Sequence, residues 1–385
     1  MEYLGSAKKQ ITMSINTHSS SDDEISAGAI PDLLRPEVLD AFDRETFERD
    51  GYWVWEGVVT DAGCKQWKAN LKKLQRMNDA VLTDTDWAAI DFEGRGLAPP
   101  PPEQITPQFL ASCCGGSEQM PPFLRTEARK YMYQYGLHGP GSALIAHGFD
   151  SIGVMPEYFP PGYNNFVLNV ITTHPQMLEL FRKVLGQRFL LDHCLMLNRS
   201  PGKKGRRWHG HPYWDGQHEV QDAIGDGSAV TPEFLQRQCV RTLCYPDGAA
   251  TDDGGEFAVI PGAHLYRVPY KWNTERPDED EDMRAGWLKG KSHPITGEPL
   301  EIVHLSLPPG SMVSFVHHMP HYVGRRKPDS EMRWGLLMAF RTPDREAAPA
   351  KWSNGVPPHW ADRLEAEGRL SAGARRVFEA DNPIV

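Results

Sequence analysis

Two histidines separated by one residue, His209 and His211, are the first feature of this sequence that could do chemistry. They lie in the stretch GRRWHGHPYWDG, between Gly205 and Gly216. Side chains two residues apart in a β-strand point to the same face, so both imidazoles could reach one metal ion. Imidazole binds iron, copper and zinc. The pair therefore predicts part of a mononuclear metal site.

A metal held on one face needs a third ligand, which usually comes from a distant strand. The stretch VHHMPHYVG supplies three candidates, His317, His318 and His321. The spacing of these histidines alone does not choose among them.

The elements that must position these side chains can be predicted from periodicity. The stretch EVLDAFDRETFERDG predicts a helix that stops at Gly51, YWVWEGVV a strand, and Asp61 the cap of a second helix through AGCKQWKANLKKLQRM. A further helix, HPQMLELFRKVLG, is closed by Gly186. Short strands separated by Gly and Pro residues follow, and this pattern predicts a β-barrel or a β-sandwich. Their sequences are RFLLDHCLMLNRS, CVRTLCYP, GEFAVIPG, EIVHLSLPPG, SMVSFVHH and RWGLLMAFR.

The flanking and inserted segments complete the predicted organisation. Residues 1–30 are polar and predict a disordered tail, and residues 31–385 predict one domain with a barrel core at about 188–345. The Pro/Gly-rich region 80–165 is expected to cover a pocket, and the charged segment WNTERPDEDEDMRAGWLKGKSH to be a solvated loop. A C-terminal helix is predicted at about 357–378.

Composition limits the classes of partner. The net charge of −10 argues against a nucleic acid, which requires a concentrated basic face. One basic cluster, from Lys203 to Arg207, is either a solvated loop or a feature that attracts an anionic substrate. The six cysteines lack zinc-like spacing, and no apolar run is long enough for a signal peptide or a membrane span. We therefore expect a cytoplasmic protein that acts on a small molecule, with a homodimer as one possible state.

Four stretches, in this order, resemble the phytanoyl-CoA dioxygenase-like family of iron(II)- and 2-oxoglutarate-dependent oxygenases. FERDGYWVWEGVV is similar to the family's entry from helix to strand, and WHGHPYW to its Trp-His-x-Asp pattern. DDGGEFAVIPGAH is similar to its Pro-Gly-Ser-His turn, and GSMVSFVHHMPH to the strand that leads to its distal histidine. The resemblance selects His321 as that histidine, because its separation along the sequence from Gly310 and from Arg333 matches the family pattern.

The resemblance implies a mainly β fold, a double-stranded β-helix (a jelly-roll or cupin-like barrel) with packed N-terminal helices. It implies Fe(II), 2-oxoglutarate and O2 as cofactors and co-substrate, with His209, His211 and His321 on the metal. Arg333 is expected to bind the distal carboxylate of 2-oxoglutarate, which a bidentate guanidinium suits. Upstream, Asn198 or Arg199 occupies the place of a further residue that contacts the co-substrate.

His211 stands where the family has a carboxylate ligand. Four interpretations follow: His211 is the third ligand, or water or an anion fills that position, or Asp215 replaces it, or metal binding is lost. Two further positions depart from the family, Gly210 where Gln is common and Val323 where a small hydroxyl residue is frequent.

The sequence therefore predicts a non-haem iron oxygenase that hydroxylates or desaturates a small organic molecule, with 2-oxoglutarate as co-substrate. A three-histidine dioxygenase that works without 2-oxoglutarate is the alternative enzyme. A non-catalytic family member, which retains the barrel as a binding or partner subunit, is the alternative outside catalysis.

Overall fold

A computed structural model describes the parts of the chain that carry most of the predicted elements. These are residues 32–84, 152–153, 174–203, 205–210, 239–266, 268, 280–317 and 319–342. The predicted N-terminal tail, most of the pocket-covering region and the predicted C-terminal helix lie outside the described residues. The division of the chain into one domain therefore stays a prediction.

The described helices lie mainly before the strands. They are α1 (Pro36–Asp40), α2 (Arg44–Asp50), α3 (Asp61–Asp84), α4 (Pro175–Leu185) and α5 (Asp280–Ala285). Two short 3₁₀ helices, Thr251–Asp253 and Ala263–Leu265, lie between strands. No helix among the described residues has the length and apolar character needed to cross a bilayer.

Ten strands among the described residues form two antiparallel sheets. The strands are β1 (Tyr52–Trp55), β2 (Ile152–Gly153), β3 (Leu190–Met196), β4 (Arg206–His209), β5 (Cys239–Tyr245), β6 (Phe257–Val259), β7 (Val303–Leu305), β8 (Ser311–Val316), β9 (His321–Val323) and β10 (Leu336–Arg341). The larger sheet has the order β1-β8-β5-β10-β3-β2, and the smaller sheet has the order β4-β9-β6-β7. The prediction of a mainly β fold is thus confirmed.

The N-terminal helical stretch is two helices, where the periodicity predicted one. The Asp43 carboxylate accepts hydrogen bonds from the backbone N–H groups of Glu45 and Thr46, at 2.9 and 3.4 Å, and so caps α2. The predicted stop at Gly51 is confirmed, since this glycine ends α2 with a φ of +80°. The first helix ends at Asp40 and the next begins directly after Asp43, but the spacing of apolar residues continues across this point. Periodicity alone therefore does not reveal the boundary between α1 and α2.

The outer face of the large sheet is buried against the helices. The Phe181 ring of α4 packs at 3.9 Å from the Phe340 ring of β10, measured between centroids. On β1, the Trp55 indole N–H donates a hydrogen bond to Ser314 Oγ at 2.9 Å. The Trp55 indole and the Ser314 hydroxyl, both fully buried, are therefore hydrogen-bonded to each other within the apolar core.

The two sheets face each other across an apolar layer. The Phe257 ring of β6 lies 5.1 Å from the Phe315 ring of β8, between centroids. The remaining face of the small sheet is covered by a second apolar cluster, which includes Trp208, Tyr322, Met283 and Leu288. The molecule is thus layered as helices, large sheet, small sheet and the segment around α5.

The prediction of a solvated loop is wrong for the part of the charged segment that forms α5. Three acidic residues in its first turn, from Asp280 to Asp282, stabilise the positive end of the helix dipole. Met283, 1% exposed, anchors the helix to the small sheet. A single apolar residue among charges does not reveal this packing in the sequence.

His264 is buried beneath the turn between α2 and β1. Its Nε2 lies 2.9 Å from the Glu48 carbonyl oxygen, to which it can donate a hydrogen bond. A Cβ at Gly51 would clash with the imidazole, so this turn needs glycine both for its positive φ and for the close approach. Burial lowers the pKa of His264 to about 4.

The low pKa of His264 predicts acid-induced loss of stability. In the unfolded chain this imidazole takes a proton near pH 6.5, whereas the folded protein resists protonation down to about pH 4. The contribution of this residue to the free energy of unfolding is therefore fully present above pH 6.5 and decreases as the pH drops towards 4. The loss is about 2 kcal/mol between pH 7 and 5. Urea unfolding of the wild type and of His264→Gln at both pH values measures it; an equal pH dependence in the two proteins would refute the assignment.

Candidate metal centre

Strands β4 and β9 place the His209 and His321 side chains next to each other. The two residues are paired in the antiparallel ladder, and their ring centroids are 4.0 Å apart. The preceding and following residues, Trp208 and Tyr322, point to the opposite face of the sheet, where their rings stack at 5.5 Å. Strand alternation thus directs the indole and phenol into a core and both imidazoles towards the large sheet.

The surroundings of His321 suit a metal ligand. Its Nδ1 lies 2.8 Å from the Met319 carbonyl oxygen, and the side chain is buried. An Nδ1–H that donates to this carbonyl leaves the lone pair on Nε2, which is the arrangement found in metal-bound histidines. The rings of Phe315 and Phe257 lie 5.0 and 5.7 Å away and hold the imidazole in place.

The rival histidines are not brought to the same place among the described residues. His317 follows β8, and its backbone N–H donates to the Cys239 carbonyl oxygen at 2.7 Å. It does not line the cavity that His209 and His321 share. His318 lies outside the described residues.

The third ligand is not settled by the described part of the chain. His211 and Asp215 both lie outside the described residues. Across the described ranges, no three His, Cys, Asp or Glu side chains are grouped so as to hold a metal ion. The described site therefore contributes two imidazoles, and His211 stays a prediction.

The cavity between the sheets also contains three arginines. Arg199, Arg241 and Arg333 line it together with the two histidines and Tyr245. Apolar side chains complete the described wall: Leu197, Leu243, Phe257, Phe315, Val323 and Leu337. The described lining includes no acidic residue, so the cavity has the electrostatic character of an anion site.

Arg333 is buried and is held by a backbone carbonyl and an aromatic ring. Its side chain donates a hydrogen bond from Nη1 to the Gly255 carbonyl oxygen, and its Cζ lies 5.3 Å above the centre of the Tyr245 ring. Its Nε has no hydrogen-bond partner among the described residues. Burial lowers the pKa of the guanidinium, which nonetheless remains cationic at neutral pH. A buried cation with a donor to spare is suited to an anionic ligand.

Of the two upstream residues, the structure brings Arg199 to the cavity, whereas Asn198 does not line it. Arg199 and Arg333 exchange backbone hydrogen bonds of 2.9 Å, which fixes the two residues side by side. Leu197 and Arg199 both line the cavity, as alternate residues of an extended segment do, and Asn198 lies between them.

Behind the small sheet, His304 lies between two carboxylates. Its Nε2 is 2.6 Å from an Asp280 oxygen, and its Nδ1 is 3.4 Å from a Glu256 oxygen. These contacts raise the pKa of His304 to about 9, so the ring is cationic at neutral pH. Both ring nitrogens contact carboxylates, so His304 has no nitrogen available for a metal ion.

Sequence reasoning did not single out Arg241, Tyr245 or Gly255. The first two alternate with Leu243 on β5, and a strand of otherwise apolar character with an arginine near its middle is a usable signal. Gly255 has a φ of +73°, and a Cβ there would clash with the Arg326 side chain. Its role in bringing its carbonyl to Arg333 depends on a long-range contact, which no local pattern reveals.

Comparisons with known proteins give only distant similarities. No protein-family model matches the chain, and no curated protein sequence matches it. Among solved structures, EctD from S. alaskensis with 2-oxoglutarate and 5-hydroxyectoine has a TM-score of 0.42 and 15% identity, over 81% of this chain and 82% of that one. HygX from Streptomyces hygroscopicus with nickel and 2-oxoglutarate bound has a TM-score of 0.42 and 14% identity, over 80% and 90%. AviO1 from Streptomyces viridochromogenes has a TM-score of 0.41 and 13% identity, over 82% and 99%.

Proposed function

We propose that this protein is a mononuclear non-haem iron oxygenase that uses 2-oxoglutarate and O2 to oxidise a small organic molecule. One observation carries the proposal: a pair of adjacent imidazoles, His209 and His321, shares a cavity with the buried guanidinium of Arg333. The pair supplies metal ligands, and the guanidinium supplies the counter-charge for a carboxylate beside them. The two facing antiparallel sheets are consistent with the double-stranded β-helix that the sequence resemblance implies.

The donor set fits Fe(II). Two neutral imidazoles on one face are the invariant part of the facial triad of non-haem iron enzymes, and they leave positions open for other ligands. We propose His211 as the third ligand, because alternation along an extended β4 would direct it to the same face as His209. A third neutral ligand leaves the full charge of the metal to attract a dianionic co-substrate. Bound iron would supply the activation of O2 that drives the oxidation of a substrate C–H bond.

The protein's own residues define a place for 2-oxoglutarate. Arg333 would bind the distal carboxylate, and the backbone bridge would hold Arg199 next to it. The Tyr245 ring supports the Arg333 guanidinium from below, and Val323 offers an apolar wall to the methylene groups. The low polarity of this wall excludes water and strengthens the ion pair.

The three-histidine alternative without 2-oxoglutarate is favoured by one observation, the histidine at position 211 in place of a carboxylate. Arg333 weighs against it, because a buried cation in the cavity has no evident role if no carboxylate enters. The two functions differ in whether 2-oxoglutarate changes the environment of the metal.

Anaerobic reconstitution tests the proposed function. The full chain is loaded with Fe(II) and titrated with 2-oxoglutarate while the visible absorption is recorded. We expect one equivalent of iron and a charge-transfer band that saturates with 2-oxoglutarate. Bound iron without such a band would favour the three-histidine alternative, and the failure of the protein to bind stoichiometric iron would favour a non-catalytic binding subunit.

A further inference from the structure

Arg241 lies on the cavity face of β5, at the end opposite to Arg333. Arg241, Leu243 and Tyr245 alternate along the strand and all three line the cavity. The Arg333 guanidinium lies over Tyr245. Arg241 is four residues away from Tyr245, which corresponds to about 13 Å along an extended strand. The cavity therefore has a cation at each end.

The metal-binding histidines lie towards the Arg241 end. In the large sheet, Arg241 is paired with Phe315 of β8, and the Phe315 ring is 5.0 Å from the His321 ring. Arg333, in contrast, bonds to Gly255, which precedes β6, while His321 is paired with Val259 at the other end of that strand. Along the cavity, Arg333 thus lies at one end, and the histidine pair and Arg241 lie near the other, on opposite walls.

The length of 2-oxoglutarate separates the roles of the two cations. Its terminal carboxyl carbons are joined by four C–C bonds and lie about 5–6 Å apart in an extended chain. A molecule whose distal carboxylate binds Arg333 reaches the histidines with its other end and leaves the wall that carries Arg241 to another ligand. That wall has apolar side chains, Phe315 and Leu243, beside its guanidinium.

We propose that Arg241 binds an anionic group of the primary substrate, so that the substrate is an organic carboxylate or phosphate monoester with an apolar body. The proposal rests on the proposed function, because it assigns the other end of the cavity to 2-oxoglutarate. A guanidinium binds carboxylate and phosphate alike through two parallel N–H donors. Such a contact orients the substrate, whose apolar part then lies against Phe315 and Leu243, near the metal ligands.

Matched probes test this assignment in the full-length protein. The protein is loaded anaerobically with Co(II) and 2-oxoglutarate and titrated calorimetrically with hexanoate, hexyl phosphate and hexanamide. We expect at least one of the two anions to bind about tenfold more tightly than the amide, as a charge-assisted hydrogen bond implies. Hexanoate and hexyl phosphate together distinguish the two anionic groups. Equal binding of both anions and the amide by the wild type would overturn the proposal.

Variants of Arg241 and Arg333 distinguish the roles of the two arginines. Arg241→Met is expected to remove the preference for anions while it changes the affinity for 2-oxoglutarate less than about threefold. Arg241→Lys keeps the charge and is expected to retain part of the preference, which guards against a general effect of the substitution. A loss of 2-oxoglutarate affinity in Arg241→Met as large as in Arg333→Gln would assign Arg241 to the co-substrate and overturn the proposal. Failure of the wild type to bind 2-oxoglutarate would instead refute the proposed function, and it is measured in a separate titration.

Discussion

Replacing His209 or His321 by alanine is expected to weaken Fe(II) binding by about 100-fold or more. The two imidazole rings lie 4.0 Å apart between centroids, so each variant removes one of the two proposed ligands that the structure brings together. Substitution of a residue that only supports a metal ligand lowers the affinity for the metal by about 10–100-fold. We expect the loss of a ligand itself to have a larger effect. Anaerobic equilibrium dialysis followed by metal analysis gives the affinity of each variant.

Three further variants complete this experiment. His211→Ala is expected to weaken metal binding, whereas His211→Asp is expected to preserve it, because a carboxylate can take the same position. His317→Ala is the matched control, since His317 does not line the cavity, and it is expected to bind Fe(II) like the wild type. Unchanged affinity in His211→Ala would rule out His211 as the third ligand. If His317→Ala lost iron and His321→Ala did not, His317 and not His321 would be the ligand.

Arg333→Gln is expected to lower the affinity for 2-oxoglutarate about 30-fold or more while Fe(II) binding is retained. The variant removes the buried cation that faces the distal carboxylate, and breaking such a pair costs about 2 kcal/mol or more. Glutamine can still donate one hydrogen bond towards the Gly255 carbonyl, so the backbone bridge to Arg199 is expected to persist. Titration of the charge-transfer band with 2-oxoglutarate measures the effect.

The control for Arg333 is Arg325→Gln, which removes an equal charge at an exposed position nearby. Arg333→Lys adds a test of geometry, because lysine keeps the charge but lacks the planar fork of arginine. We expect an intermediate affinity for Arg333→Lys and a wild-type affinity for Arg325→Gln. If Arg333→Gln binds 2-oxoglutarate as tightly as the wild type, Arg333 is not the anchor.

Local patterns in the sequence predicted most of the described elements. The end of α4 at Gly186, and the β-branched and aromatic runs, mark boundaries that depend on neighbouring residues only, so they can be read from the chain. The predicted cap at Asp61 is wrong by one residue: Asp61 is the first residue of α3, and the Gly63 N–H donates a hydrogen bond to Thr60 Oγ1 at 3.1 Å. The division between α1 and α2 and the presence of α5 could not be read in this way. The first depends on the Asp43 cap, and the second on the burial of Met283 against a distant sheet.

The residues of the candidate site also fall into two groups, those that the sequence indicates and those whose positions depend on long-range contacts. The chemistry of His209 and the choice of His321 followed from residue type, spacing and resemblance, and the structure brings these two residues together. Arg333 also lies in the shared cavity. The positions of Arg199 and Arg241 depend on strand pairing between segments far apart in the chain. No local pattern encodes that pairing, so the sequence alone left Asn198 and Arg199 as alternatives for a co-substrate contact, and Asn198 does not line the cavity.

The stack of Trp208 on Tyr322 has a consequence for the protein before any metal arrives. Each aromatic residue is the direct neighbour of a candidate ligand, and both are almost fully buried on the opposite face of the sheet. A slip of one residue between β4 and β9 would move an indole into the cavity and an imidazole into the apolar cluster. Apolar burial of the indole and the phenol therefore fixes the direction of the two imidazoles. A metal ion bound by this pair would not have to assemble the strands, unlike in domains that the metal itself must fold.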